Sequence, residues 1–178
     1  MLDAQIFQFI NNLAGQNIII DNFLIFITIF GNLILFLVIL FTWNKKLILK
    51  SIIAFITARA VDFGINLIYY RPRPFVVQEV NQLIAHKATA GFPSGHAITA
   101  FVFAQMLYFW NKKYGIAAYI FAFLIAFSRI YVGVHYPLDA IAGIIFGIGI
   151  AFIAEYLFEK YRLMKKFQKK WKLILKHL

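Results

Sequence analysis

The chain has 178 residues, 62% hydrophobic, 19% aromatic and only 14% charged, with a formal net charge of +11. A water-soluble domain carries about 45–50% apolar and about 25% charged residues, so a soluble globule is excluded and lipid is the solvent for much of this chain. Cysteine is absent, which removes disulfides, thiolate zinc sites and a cysteine nucleophile. The basic residues sit between and after apolar runs, a pattern that points to a membrane surface rather than to nucleic acid.

In chain order, helical spacing over residues 2–14 predicts an interfacial amphipathic helix, with Leu2, Ile6, Phe9, Ile10 and Leu13 on one face and Gln8, Asn11 and Asn12 elsewhere. Asp3 stands ahead of the first apolar run of this stretch, with no basic flank, so it does not read as a cleavable signal. Asp21-Asn22 is positioned to cap a first span from Phe23 to about Trp43. Leu47 to Tyr70 forms a second span, with Arg59, Asp62 and Asn66 inside it. Arg71 to Pro93 is a polar connection whose prolines stop the helix. Ser94–Trp110, Tyr114–Arg129 and Pro137–Phe158 complete five spans, and Gly143, Gly147 and Gly149 offer close helix contact in the last. The basic tail from Glu159 to Leu178, with Phe167, Trp171, Leu173 and Leu175 among lysines, is expected to lie on the membrane surface. The expected fold is all-α, one domain over 1–178: an interfacial helix (1–20), a five-helix transmembrane bundle (21–158) and a basic cytoplasmic tail (159–178).

The loops at 44–50 and 111–113 and the tail hold most of the lysines and arginines. The positive-inside rule therefore puts the tail in the cytoplasm and the N-terminus outside. Three polar segments then fall together on the external side: Arg71-Pro72-Arg73-Pro74, Pro93-Ser94-Gly95-His96 and Ser128 to Asp139.

Each has chemistry to offer. Ser94 suits a helix N-cap, and the helix start it marks presents N–H groups and a positive dipole end to an anion. Gly95 would let a ligand approach the backbone, and His96 is a candidate proton donor. Arg71 and Arg73 are suited to bidentate phosphate contact, and the charge rule does not explain their place outside. Pro137 fits the first helical position, which puts Asp139 in the first turn, reaching back towards His135. A carboxylate on one imidazole nitrogen would leave the other free as a nucleophile. Arg59 and Asp62, three apart within a span, read as a buried structural ion pair.

These segments resemble the motifs of the type 2 phosphatidic acid phosphatase superfamily, membrane lipid phosphatases that share a core fold with vanadium haloperoxidases. P-S-G-H matches Pro93 to His96. S-R-x5-H-x3-D matches Ser128-Arg129, His135 and Asp139 without deviation. K-x6-R-P departs: counting back from Arg73-Pro74 places Asn66 where the family has lysine.

The resemblance implies that His135 attacks phosphorus, Asp139 orients it, and His96 protonates the leaving group. It implies that Arg73, Arg129, Ser94 and Gly95 hold the phosphate oxygens, with Asn66 and Arg71 as further phosphate contacts, and that no metal or cofactor takes part. The implied substrate is a membrane lipid phosphate at the outer face of a bacterial cytoplasmic membrane: undecaprenyl diphosphate, phosphatidylglycerophosphate or a lipid A phosphate. A competing reading keeps the anion site without turnover, as a lipid-binding or transport protein. The oriented histidines favour the enzyme, since a binder needs only arginines and N–H groups.

Overall fold

The computed structural model describes residues 2–175, with side chains described to Lys165 apart from Leu163. Seven helices follow in order: α1 Leu2–Asn11, α2 Ile18–Phe41, α3 Lys45–Ile68, α4 Pro74–Val77, α5 Gly95–Trp110, α6 Lys112–Tyr131 and α7 Pro137–Leu175. There is no strand among the described residues.

α5 is the axis of the bundle. Every residue from Ala97 to Leu107 is buried, and α2, α3, α6 and α7 all pack on it. A helix that is apolar all round is either central or lipid-facing, and the sequence does not say which. α5 is the central case, 16 residues long and about 24 Å at 1.5 Å per residue. Four helices, α2, α3, α6 and α7, are long and apolar enough to cross a membrane. The expected count of five spans is thus corrected to four lipid-facing ones: the third, α5, is shorter than a hydrocarbon core of about 30 Å and runs from one end of the bundle to the other enclosed by its neighbours.

The outer faces of the four long helices carry exposed Phe23, Phe30, Leu33, Ile56, Ile120 and Ile145, the surface that a bilayer would cover. Gly143 and Gly147 bring α7 against α5: a Cβ at Gly143 would stand 2.8 Å from Ser94 O, and one at Gly147 2.5 Å from Ile98 O. Gly149 meets nothing within 4 Å and makes no such contact.

Other boundaries also differ from expectation. α2 is capped by Asn17, whose side chain accepts from Ile19 and Ile20 N–H. Asp21, the expected cap, lies in the first turn and accepts from Gly15 N and Tyr131 Oη. α1 docks through Phe7 and Asn11, not through the face expected to be apolar. Leu2, Ile6, Phe9 and Leu13 of that face stay exposed, where an interfacial helix presents its lipid side. Asn11 Nδ2 donates to Asn81 O and Tyr131 O, and its Oδ1 accepts from Asn81 N. The tail is no separate surface helix, because α7 continues without a break to Leu175. The lysines interrupt its apolar pattern but not its helix propensity. Residues 176–178 of the expected tail lie outside the described residues, as do the side chains of Phe167, Trp171, Leu173 and Leu175.

At the end of the bundle away from the loop 69–94, Lys50 bonds Glu155 at 2.6 Å and Glu159 at 3.0 Å, and Lys46 bonds Glu159 at 2.6 Å. Those pairs tie α3 to α7.

Candidate active site

Three chain segments meet at the other end. The first turns of α5 and α7 are joined directly, Ser94 N donating to Asp139 O at 3.0 Å. The loop between α3 and α5 folds over them, held by Gly91 N to Arg71 O at 2.8 Å. The turn 132–136 comes from the end of α6, with Gly133 at φ +86°, a left-handed conformation that favours glycine. Ser128 anchors that helix end. Its Oγ donates to Ile125 O and lies 2.7 Å from Thr28 Oγ1 of α2.

Arg73 is buried and its guanidinium stitches the segments together. Nε donates to Thr89 O at 3.2 Å, Nη2 to Ala90 O at 3.0 Å, and Nη1 to Val134 O at 3.0 Å and to His135 Nε2 at 2.9 Å. A guanidinium only donates, so Nε2 must be the accepting, unprotonated nitrogen of His135. The ring proton is then on Nδ1, which donates to Gly91 O at 2.8 Å. Burial, with Arg73 and Arg129 nearby, holds the His135 imidazole well below its usual pKa. The side chain is therefore a neutral imidazole with a lone pair on Nε2.

Asp139 was expected to accept from His135. Its Oδ2 instead lies 3.6 Å from Nδ1 and accepts from Tyr136 N at 2.9 Å. A backbone carbonyl fixes the tautomer, and the carboxylate supplies a nearby negative charge. Arg71 does not enter the cavity. It donates to Asp139 Oδ1 at 2.7 Å and pairs with Asp3 of α1, its guanidinium stacked 4.6 Å from the Tyr136 ring centre. Two carboxylates offset its charge, so it is not the spare phosphate ligand that its place beside Arg73 suggested.

A cavity of about 600 Å³ opens between α3, α5 and the loops, lined by Arg73, His135, His96, Gly95 and Asn66, and also by Arg59, Asp62 and His86. Arg129 and Ser94 are fully enclosed beside the turn and the start of α5. Arg129 Nε and Nη2 and Ser94 Oγ have no hydrogen-bond partner. Ser94 occupies the N-cap position without making the cap bond, which leaves its hydroxyl free. Neither Arg73 nor Arg129 has a carboxylate partner among the described residues. Buried donors without acceptors are costly. Donors left free in this way suit an oxyanion.

Asn66 lines the cavity, but its Nδ2 donates to Asp62 O at 2.6 Å and Asp62 Oδ1 at 3.1 Å, so no donor is left for phosphate. Gly95 makes room for a side-chain pair rather than only for a ligand. A Cβ there would stand 2.6 Å from Arg59 Nη1 and 2.7 Å from Asp62 Oδ2. Sequence reasoning missed His86, to which no motif points, and burial lowers the pKa of that imidazole. It also missed Asp3 and the Gly91 carbonyl. A lone acid ahead of an apolar helix and a backbone oxygen carry no sequence signal.

Residues 47–163 match the PAP2 superfamily. The chain is 35% identical over 158 residues to the undecaprenyl-diphosphatase BcrC of Bacillus subtilis, covering 85% of this chain and 82% of that one. It is 30% identical over 154 residues to a protein of Bacillus licheniformis named bacitracin transport permease protein BcrC, covering 83% and 76%. Among solved structures, LpxE of Aquifex aeolicus superposes with a TM-score of 0.78 at 29% identity, covering 88% of this chain and 96% of that one.

Proposed function

The chain belongs to the PAP2 superfamily, and from that membership we propose that it removes the terminal phosphate of a polyprenyl diphosphate, undecaprenyl diphosphate foremost, through a phosphohistidine. It is a multi-pass membrane protein and a lipid phosphatase. The proposal concerns its substrate, its mechanism and its orientation.

The observation that carries it is the buried Arg129 with two nitrogens lacking acceptors, beside the equally free Ser94 hydroxyl. In phosphoryl transfer, charge spreads over the equatorial oxygens, and fixed donors at those positions are what lowers the barrier. In the proposed reaction Arg129, Ser94 and the Gly95 N–H hold these oxygens, and Arg73 joins them. His135 Nε2 attacks phosphorus while Gly91 O retains the Nδ1 proton. The imidazole becomes cationic as the bond forms, and the Asp139 charge 3.6 Å away stabilises it. His96 gives its proton to the leaving oxygen, then takes one from the water that releases phosphate.

We place this cavity on the outer face of the cytoplasmic membrane and the C-terminus inside, on the strength of the lysine-rich loops at the opposite end. The chain has no cysteine, so single cysteines can test this. A membrane-impermeant maleimide should label Lys87→Cys on intact cells and Lys113→Cys only after permeabilisation, and the reverse pattern would refute the orientation.

The chemistry is tested with purified protein in detergent with EDTA, using undecaprenyl diphosphate, phosphatidylglycerophosphate and a lipid A phosphate at matched concentration. Rapid alkaline quench should trap an acid-labile phosphoprotein that His135→Ala lacks. The permease name of one relative supports a second reading, transport without turnover. Absence of phosphate release from any lipid phosphate, with retained lipid binding, would favour it.

A further inference from the structure

An ion pair inside a span that served only mutual neutralisation would be closed off between helices. Arg59 and Asp62 are not. Their nitrogen and oxygen lie 2.9 Å apart, but the Arg59 side chain is 50% exposed, and both residues line the cavity that holds His96, His135 and Arg73. Arg59 lies nine residues before the end of α3, about 14 Å along the helix. A half-exposed guanidinium at such depth needs polar surroundings, and the cavity supplies them. Among the described residues Asp62 is its only ion-pair partner, reached through Nη1. The pair is seated against the first turn of α5, in the space that a Gly95 side chain would fill.

The cavity therefore has two cationic poles. One is buried, with Arg73 against His135. The other is Arg59, more open, on the cavity lining that also carries His96. Asn66, where the family motif has lysine, gives its N–H groups to Asp62, so Arg59 is the cation on that wall.

We infer that Arg59 forms a second anion subsite that holds the lipid-side phosphate of a diphosphate substrate, the group that departs. The inference rests on the proposed function. His135 Nε2 forms a bond to the terminal phosphorus, and the bond from that phosphorus to the bridging oxygen breaks. The electron pair stays on the bridging oxygen, which receives the proton from His96 and leaves as a lipid monophosphate. Arg59 offsets the charge that this leaving phosphate keeps. A monoester places an alkoxide there instead and gains little from Arg59.

The test uses the full chain in detergent with EDTA, with farnesyl diphosphate and farnesyl monophosphate as paired substrates. In Arg59→Gln the ratio of kcat/KM for diphosphate over monophosphate should fall about 10–100-fold, the range of one charge-assisted hydrogen bond, and Arg59→Lys should restore part of it. As a second reading that needs no monoester turnover, methylenediphosphonate should inhibit wild type more strongly than inorganic phosphate does, and Arg59→Gln should abolish that preference. Equal losses on both substrates, or an unchanged inhibitor preference, would overturn the subsite. Wild type that releases no phosphate from either substrate would overturn the function on which it rests, whatever Arg59 does.

Discussion

The two ends of the bundle each bury a cation, and they treat it in opposite ways. Lys50 is 7% exposed and is met by two carboxylates, Glu155 and Glu159. Arg129 is 2% exposed and is met by none, with two of its nitrogens left without an acceptor. A buried charge costs several kcal/mol unless it is paired. The first end has spent its charges on joining α3 to α7, whereas the second leaves Arg129 without a carboxylate, open to the anion of the proposed function. What separates the two cations is not burial but the presence of a partner.

The contrast yields a graded series of tests. His135→Ala should lower kcat/KM by about 10⁴-fold or more, the scale of losing a nucleophile, as read by phosphate release. Arg129→Gln should cost about 10²–10³-fold, as for one fixed donor to a developing oxyanion. Retention of activity there would sink the anion site. Asp3→Asn leaves Arg71 with Asp139 alone and so drains the carboxylate charge beside His135. The expected loss is about tenfold, mostly in kcat, the scale of one hydrogen bond to a charged group, whereas a loss confined to KM would contradict it.

Lys50→Met, at the paired end, should leave kcat/KM within about twofold and lower stability by about 2 kcal/mol. That is below the about 3–5 kcal/mol of a fully buried pair because Glu155 retains solvent contact. Unfolding in a detergent series checks it, and a loss of activity like that of Arg129→Gln would erase the distinction between the ends. The smallest expected effect is on the acid side of the pH profile. Because the His135 pKa lies well below its usual range, the neutral nucleophile persists as pH falls through 6.5. An acid limb from its protonation belongs lower, and one near 6.5 would contradict the burial that lowers it.

Much of the fold was legible because about 20 apolar residues in a row have few uses other than spanning lipid. α5 was misjudged because a helix apolar on every side looks the same whether lipid or protein surrounds it. The cap of α2 was misjudged because Asn17 and Asp21 are both good cap residues, and only the docking of α1 sends Asp21 to Tyr131. In the site, motif spacing brought Arg73, His96 and His135 together around one cavity. It did not divide labour between Arg71 and Arg73, two residues apart and chemically identical, because that is decided by Asp3, a residue 68 positions away from Arg71. Nor did it find the acceptor for His135, a backbone oxygen 44 residues distant.

The bond from Arg73 to His135 Nε2 has a further consequence. At rest the Nε2 lone pair, the nucleophile of the proposed reaction, is covered by a donor. A phosphate oxygen, being charged, is the better acceptor for that same N–H, so in the proposed reaction the arriving anion would draw the guanidinium off and bare the nitrogen in one movement. The proposed nucleophile would thus be latched until its own target lifts the latch. Neutral electrophiles diffusing in from the lipid, which offer the guanidinium no charge to follow, would find it closed.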